Sequence, residues 1–145
     1  MIFKVQIDVN CEETVTATVH RRTPLIDEIE RLILQENMTD QLFGYDGDEI
    51  CVLEIQLIEC FFSEADKTYA IYADGRKYQV KKRLYELEEI LPKEFERISK
   101  SALANWKRVS KLSVQLSGAV NVVFKSGYVD CISRRCFSEL KRRYG

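Results

Sequence analysis

Nucleophilic and metal chemistry need residues that this chain hardly has. It carries one histidine, His20, and five cysteines: Cys11, Cys51, Cys60, Cys131 and Cys136. The cysteines are odd in number and show no Cys-x-x-Cys spacing. A tetrahedral zinc site wants paired ligands, so no metal is expected. Cys51 and Cys60 stand in an apolar run and read as buried free thiols. No paired carboxylates follow a cleft pattern, no Gly-rich phosphate loop is present, and a lone histidine near a turn is a poor general base. Neither an enzyme, a catalytic residue, a cofactor nor a small-molecule substrate is expected.

The cations are more informative. Residues 1–66 hold four Lys/Arg against fifteen Asp/Glu, and residues 67–145 hold eighteen against eight. Such asymmetry points to a basic half that meets a polyanion; the alternative is that the halves attract each other. Ser133 reads as a helix N-cap, which places Arg134 and Arg135 in the first helical turn. Cations there oppose the helix dipole by about 0.3–1 kcal/mol. A structural role would favour an acid, so two arginines hint at an external anion. Trp106, between Asn105 and Lys107-Arg108, either stacks on a base or packs half-buried. The Arg/Lys-Gly-aromatic strand motif of common RNA modules is absent.

These residues need elements to position them. A composition of 46% hydrophobic and 31% charged residues is that of a globular chain. Its 145 residues allow one domain with a small appendage. The start, Met1-Ile2-Phe3-Lys4-Val5, alternates instead of running apolar. The most apolar stretch, residues 50–62, is broken by Glu54, Gln56 and Glu59, too short and charged for a bilayer span. The expected location is the cytoplasm.

Phe3, Val5, Ile7 and Val9 alternate, as do Val15, Ala17 and Val19, which predicts a hairpin. Thr23 as N-cap and Pro24 at the first helical position open a helix whose Leu25, Ile29, Leu32 and Ile33 share a face. Its end is expected at residues 37–40. Residues 1–48 thus read as a small acidic β-β-α segment, bounded at Asp46-Gly47, whose charge would repel phosphate and which is expected to hold regulatory or dimer contacts. Residues 49–145 read as mostly β. Residues 50–62 are strand-like with a break near Gln56. Residues 69–73 and 77–80 flank Asp74-Gly75, a strong hairpin signal. Leu84, Leu87 and Leu91 predict a short helix that stops at Pro92. Residues 95–105 are ambiguous. Strands follow at 109–116, 120–124 and 128–132, separated by Ser117-Gly118 and Ser126-Gly127, and a short basic helix closes the chain.

The run Leu91-Pro92-Lys93-Glu94-Phe95-Glu96-Arg97-Ile98-Ser99-Lys100-Ser101-Ala102-Leu103-Ala104-Asn105 resembles the LytTR pattern. In that pattern a helix ends Leu-Pro, then come Phe-x-Arg-Ile, a polar pair, Ser, apolar residues and Asn. Downstream, a Gly-containing turn, a strand and Ile132-Ser133-Arg134-Arg135 match as well, and the Asp74-Gly75 hairpin fits upstream. The resemblance covers roughly residues 50–145. It implies an elongated antiparallel β domain, α+β overall, that reaches DNA through loops rather than a recognition helix. It also implies a bacterial transcription regulator acting on promoter direct repeats. Only about 48 residues precede the domain, too few for a receiver, so a short stand-alone subtype is expected.

By the same resemblance three loops meet double-stranded DNA: residues 63–67 ending in Lys67, then Ser99-Lys100-Ser101, then Arg134-Arg135. Lysine and arginine neutralise phosphates, and arginine reads guanine O6 and N7 bidentately. Arg97 and Asn105 join the expected DNA-binding set. Arg97 alternatively braces the fold by pairing with a carboxylate, and Asn105 alternatively satisfies a turn backbone. The family often has histidine, arginine or asparagine where Ser99 and Lys100 stand, and can carry a histidine where Lys67 stands, so the resemblance implies DNA binding here without carrying over the family's base specificity. Lys141, Arg142 and Arg143 read as a solvated helix face. The resemblance further implies a homodimer on DNA and a small membrane-protein antagonist. The competing reading is a protein-interaction module whose acidic segment binds a partner without DNA.

Overall fold

The computed structural model describes residues 1–36 and 40–145. They divide into two compact units, Met1–Glu36 and Asn37–Gly145.

In the first unit, helix α1 (Pro24–Glu36) starts where its cap residues predict. Thr23 Oγ1 accepts the Ile26 N–H at 3.4 Å, and Pro24 has no N–H to leave unpaired there. The helix end expected at residues 37–40 falls largely outside the described residues. The two strands expected at residues 3–9 and 15–19 do not form. Alternation specifies which face a strand would bury, but a lone two-stranded hairpin is marginal without a third strand or core to bury it against. Phe3, Ile7 and Val9 are 86%, 90% and 93% exposed. The segment instead turns at Asp8, whose carboxylate accepts the Asn10 N–H at 3.0 Å.

The second unit is antiparallel β with two helices. Strands β1 (Gln41–Asp46), β2 (Glu49–Glu54), β3 (Ile58–Glu64), β4 (Lys67–Tyr72), β5 (Lys77–Val80), β6 (Phe95–Ser99) and β7 (Ala102–Asn105) form one sheet in the order β2-β1-β5-β4-β3-β7-β6. Strands β8 (Val109–Val114), β9 (Val120–Phe124) and β10 (Val129–Ile132) form a second, ordered β10-β9-β8. Helix α2 (Leu84–Ile90) follows β5, and α3 (Arg134–Tyr144) ends the chain. Asp46-Gly47, expected as a segment boundary, is instead the turn of the β1-β2 hairpin. The break expected near Gln56 is a single 3-10 turn, Ile55–Leu57. The ambiguous residues 95–105 are the β6-β7 hairpin.

The seven-stranded sheet is covered on one face by α2 and, over β3, β4, β6 and β7, on the other by the second sheet and α3, while Phe43, Ile50 and Val52 of β1-β2 stay exposed. On one, Leu84, Leu87 and Leu91 pack with Leu42, Leu53, Ile58, Phe61, Tyr78 and Val80. On the other, Val120, Val122, Phe124, Ile132, Cys136 and Leu140 pack against Cys60, Ile71, Ile98, Ala102 and Ala104. Each fully buried Leu or Phe contributes about 1.5–3 kcal/mol. β3 serves both layers through a bulge between Ile58 and Cys60. The extra residue lets Ile58 and Phe61 join the α2 layer while Cys60 joins the other. Glu59, the residue at the bulge, is fully buried. Arg108 Nη2 and the Ser126 N–H each donate to its Oε2 at 3.1 Å. Among the described residues no helix is long and apolar enough to cross a membrane.

Candidate nucleic-acid interface

All strands of the large sheet are antiparallel, so the C-terminal ends of β3 and β6 share a sheet end with the N-terminal ends of β4 and β7. Three connections emerge there. The β3-β4 turn is Ala65-Asp66, with φ of 51° and 62°. Both central residues are left-handed, as a tight hairpin whose twist matches its strands requires. Lys67 follows it as the first residue of β4 and is exposed. The β6-β7 turn holds Lys100 and Ser101, both exposed. Ser99 Oγ accepts the Ser101 N–H at 3.3 Å, so that hydroxyl helps shape the turn.

Two backbone hydrogen bonds assemble the connections into a row. The Ser63 N–H donates to the Ser101 carbonyl at 2.9 Å, joining the first turn to the second. The Ser133 N–H donates to the Ile98 carbonyl at 2.7 Å, joining the start of α3 to the end of β6. Ser133 is the N-cap of α3, its Oγ accepting the Cys136 N–H at 3.2 Å. Arg134 and Arg135 therefore stand exposed in the first turn, as the cap residue predicts.

Ion pairing removes some cations from the candidate set: Arg76, Arg97, Lys107, Arg108 and Arg143 each hold a carboxylate. Lys67, Lys100, Arg134 and Arg135 are among the cations that make no ion pair among the described residues, and it is their place in the row that sets them apart. Arg97 adopts the bracing alternative: it pairs with Glu88 and donates through Nη1 to the Lys100 carbonyl at 2.5 Å. It holds the second turn from behind. Arg143 grips both carboxylate oxygens of Glu96 at 2.8 Å.

Asn105, expected among the DNA contacts, does not lie in this row. It is 1% exposed. Its Nδ2 donates to the Ile58 carbonyl at 2.9 Å and its Oδ1 accepts the Lys107 N–H at 3.1 Å. A buried amide with those partners is spent on backbone satisfaction, the other reading of its type and place. Trp106 is half-buried and meets Tyr144 edge-on, with ring centroids 6.2 Å apart.

Sequence reasoning missed the link between Glu59, Arg108 and Ser126, because Glu59 read only as a polar interruption. It also missed the run Lys81-Lys82-Arg83, which stands between β5 and α2 and makes no ion pair among the described residues, Lys81 Nζ standing 4.3 Å from the Tyr45 ring centroid. The consecutive charges before the Leu84 helix were the available signal.

The sequence model described as LytTr DNA-binding domain matches residues 48–145. Proteins named HTH-type transcriptional regulators in Staphylococcus aureus strains MSSA476 and MW2 are 28% identical over 98% of this chain and 98% of their own. One from the bovine strain RF122/ET3-1 is 29% identical over the same shares. The solved LytTr DNA-binding domain of a Bacillus cereus protein superposes with a TM-score of 0.66 at 18% identity, covering 74% of this chain and 98% of that one. That likeness is one of fold. In this chain α2 and α3 are separated by five strands, and no two helices adjoin as a helix-turn-helix among the described residues.

Proposed function

The chain belongs to the LytTr DNA-binding domain family, and from that premise we propose that it regulates transcription by reading duplex DNA through the row of three connections at one sheet end. The observation that carries the reading is the pair of bonds Ser63 N–H to Ser101 and Ser133 N–H to Ile98, which line up four unpaired cations on a rigid edge. Arg135, in the first turn of α3, enters the major groove and reads a guanine. Lys100 lies in the neighbouring turn and contacts a base or phosphate. Lys67 and Arg134 neutralise phosphates, and the Ser101 hydroxyl donates to one. Arg97 positions the second turn instead of touching DNA.

The finer reading is that two copies occupy a promoter direct repeat in the cytoplasm. Residues 1–36 hold the dimer or regulatory contacts, including those to a small membrane-protein antagonist. Their exposed apolar residues, from Phe3 to Val19 and along α1, support a protein partner for this segment.

An electrophoretic shift with the DNA upstream of the protein's own coding sequence tests the reading. If about five to seven phosphates are neutralised, log affinity falls against log salt with a slope of about −4 to −6. A slope near zero sinks it.

A further inference from the structure

The row of connections does not end at the β3-β4 turn. Beyond it lies the link from β5 to α2, Lys81-Lys82-Arg83, with all three side chains exposed. The ladder between β4 and β5 pairs Thr68 with Val80 and Tyr69 with Gln79. Continued one step outward, that register sets Lys67 beside Lys81. Arg83 Nη1 donates to the carbonyl of Asp66 at 3.4 Å, tying the link to the β3-β4 turn. The result is a recess of about 130 Å³ lined by Lys67, Lys81, Lys82 and Arg83 with Asp66 and Thr68. Among the described residues none of these four cations makes an ion pair. Among the described residues neither Asp66, which lines the recess, nor Glu64, opposite Lys67 in the ladder, forms an ion pair with any of them.

Four cations around one recess, facing the single lining carboxylate of Asp66 without an ion pair to it among the described residues, repel one another and suit an external polyanion; Lys81 Nζ stands 4.3 Å from the Tyr45 ring centroid. The placement says which part of the polyanion. From β5 to β6 the sheet crosses four strand spacings, about 19 Å. The major groove is about 12 Å wide. When the β6-β7 turn and α3 occupy the groove, the outermost link reaches the sugar-phosphate rail beside it.

We propose that Lys81, Lys82 and Arg83, together with Lys67, form a phosphate clamp on the DNA backbone flanking the base-reading connections. The clamp rests on the proposed DNA-binding function and adds to it a second kind of contact. It supplies affinity without base preference, and it fixes how far along the rail the base-reading turns sit.

The test uses the full-length chain and fluorescence anisotropy on a 30-bp duplex of random sequence across a salt series. The variant Lys81→Gln/Lys82→Gln/Arg83→Gln is compared with a charge-matched control, Lys93→Gln/Lys107→Gln/Lys125→Gln. In the control, Lys93 precedes the start of β6 and Lys107 follows the end of β7, at the far end of the same sheet. The clamp variant is expected to lose about 2–3 units of log-log salt slope, while the control keeps the wild-type slope. Base preference, read by competition with a binding-site duplex, is expected to be unchanged. Should Arg83→Gln disturb the start of α2, seen as a lowered Tm, the double variant Lys81→Gln/Lys82→Gln is expected to lose about 2 units alone. If wild type binds with a salt-dependent slope and the clamp variants match the control, the clamp is wrong and the function stands. If wild type shows no salt-dependent binding to any duplex, both fall.

Discussion

The Ser63 N–H donates to the Ser101 carbonyl at 2.9 Å. It extends the β3-β7 ladder one step past its last pair, Phe62 with Ala102. The bond makes two turns that are distant in the chain into one rigid edge. Arg97 reinforces that edge by donating to the neighbouring Lys100 carbonyl while it holds Glu88.

Glu88→Gln separates a bracing Arg97 from a DNA-contacting one. Removing a carboxylate frees a phosphate-binding arginine and should tighten DNA binding. If Arg97 instead positions the turn, the substitution loosens it. We expect Glu88→Gln and Arg97→Ala both to weaken binding to a specific site, each by about 0.5–1.5 kcal/mol. Tighter binding by Glu88→Gln, measured by anisotropy, refutes the bracing role.

Arg135→Ala is expected to cost about 1–3 kcal/mol on the specific site and much less on random DNA. Lys141→Ala, whose ammonium sits 5.2 Å from the Phe137 ring centroid, should weaken both DNAs slightly and equally. Tm should not move in either variant. Equal loss on both DNAs for Arg135→Ala would make Arg135 a phosphate contact.

Ala65 occupies a left-handed conformation, φ 51°, that costs a residue with a Cβ about 1–2 kcal/mol. Ala65→Gly relieves this and gives back part of it as unfolded-chain entropy. The expected net gain is about 0.5–1 kcal/mol, read as a rise in Tm. A lower Tm contradicts it.

Asp130 sets an acid-side pH dependence. Burial raises its carboxyl above the usual aspartate range, outweighing the opposing bonds from Cys131 N–H, the Tyr128 hydroxyl and the Cys60 thiol. The folded state then holds this proton to higher pH than the unfolded chain does. Its contribution is most favourable below the unfolded aspartate value and is lost as pH rises through the raised folded one. Asp130→Asn is expected to raise Tm near neutral pH and to flatten the fall of Tm as pH rises above the ordinary aspartate value of about 3.9. An unchanged profile means the carboxyl stays hydrated.

Removing residues 1–36 should leave a folded domain that still binds DNA weakly but loses cooperativity on a paired site. The cut must stop before Gln41, because β1 belongs to the large sheet. A folded truncation that binds no DNA is incompatible with the proposed division of labour.

The local elements were legible in the sequence. Thr23 and Ser133 read as caps and are caps. Asp74-Gly75 and Ser126-Gly127 read as turns and close hairpins, Gly75 and Gly127 standing at φ 85° and 96°. Each depends on a few neighbouring residues and on hydrogen-bond geometry within them. Where that evidence was incomplete, tertiary packing decided. The same alternation that makes β9 a strand leaves residues 3–9 without one, because β9 has β8, β10 and a core to bury against. Asp46-Gly47 carries a turn signal that is blind to what lies on either side, and only strand pairing made it a hairpin inside the sheet. The interface follows the same division. Residue types marked the basic half and the arginines at the head of α3. Which cations are spent on Glu88, Glu59 or Glu96, and which stay free beside one another, was decided by the strand order β5-β4-β3-β7-β6 and by the β3 bulge. Those are contacts between residues far apart in the chain, and no local spacing encodes them.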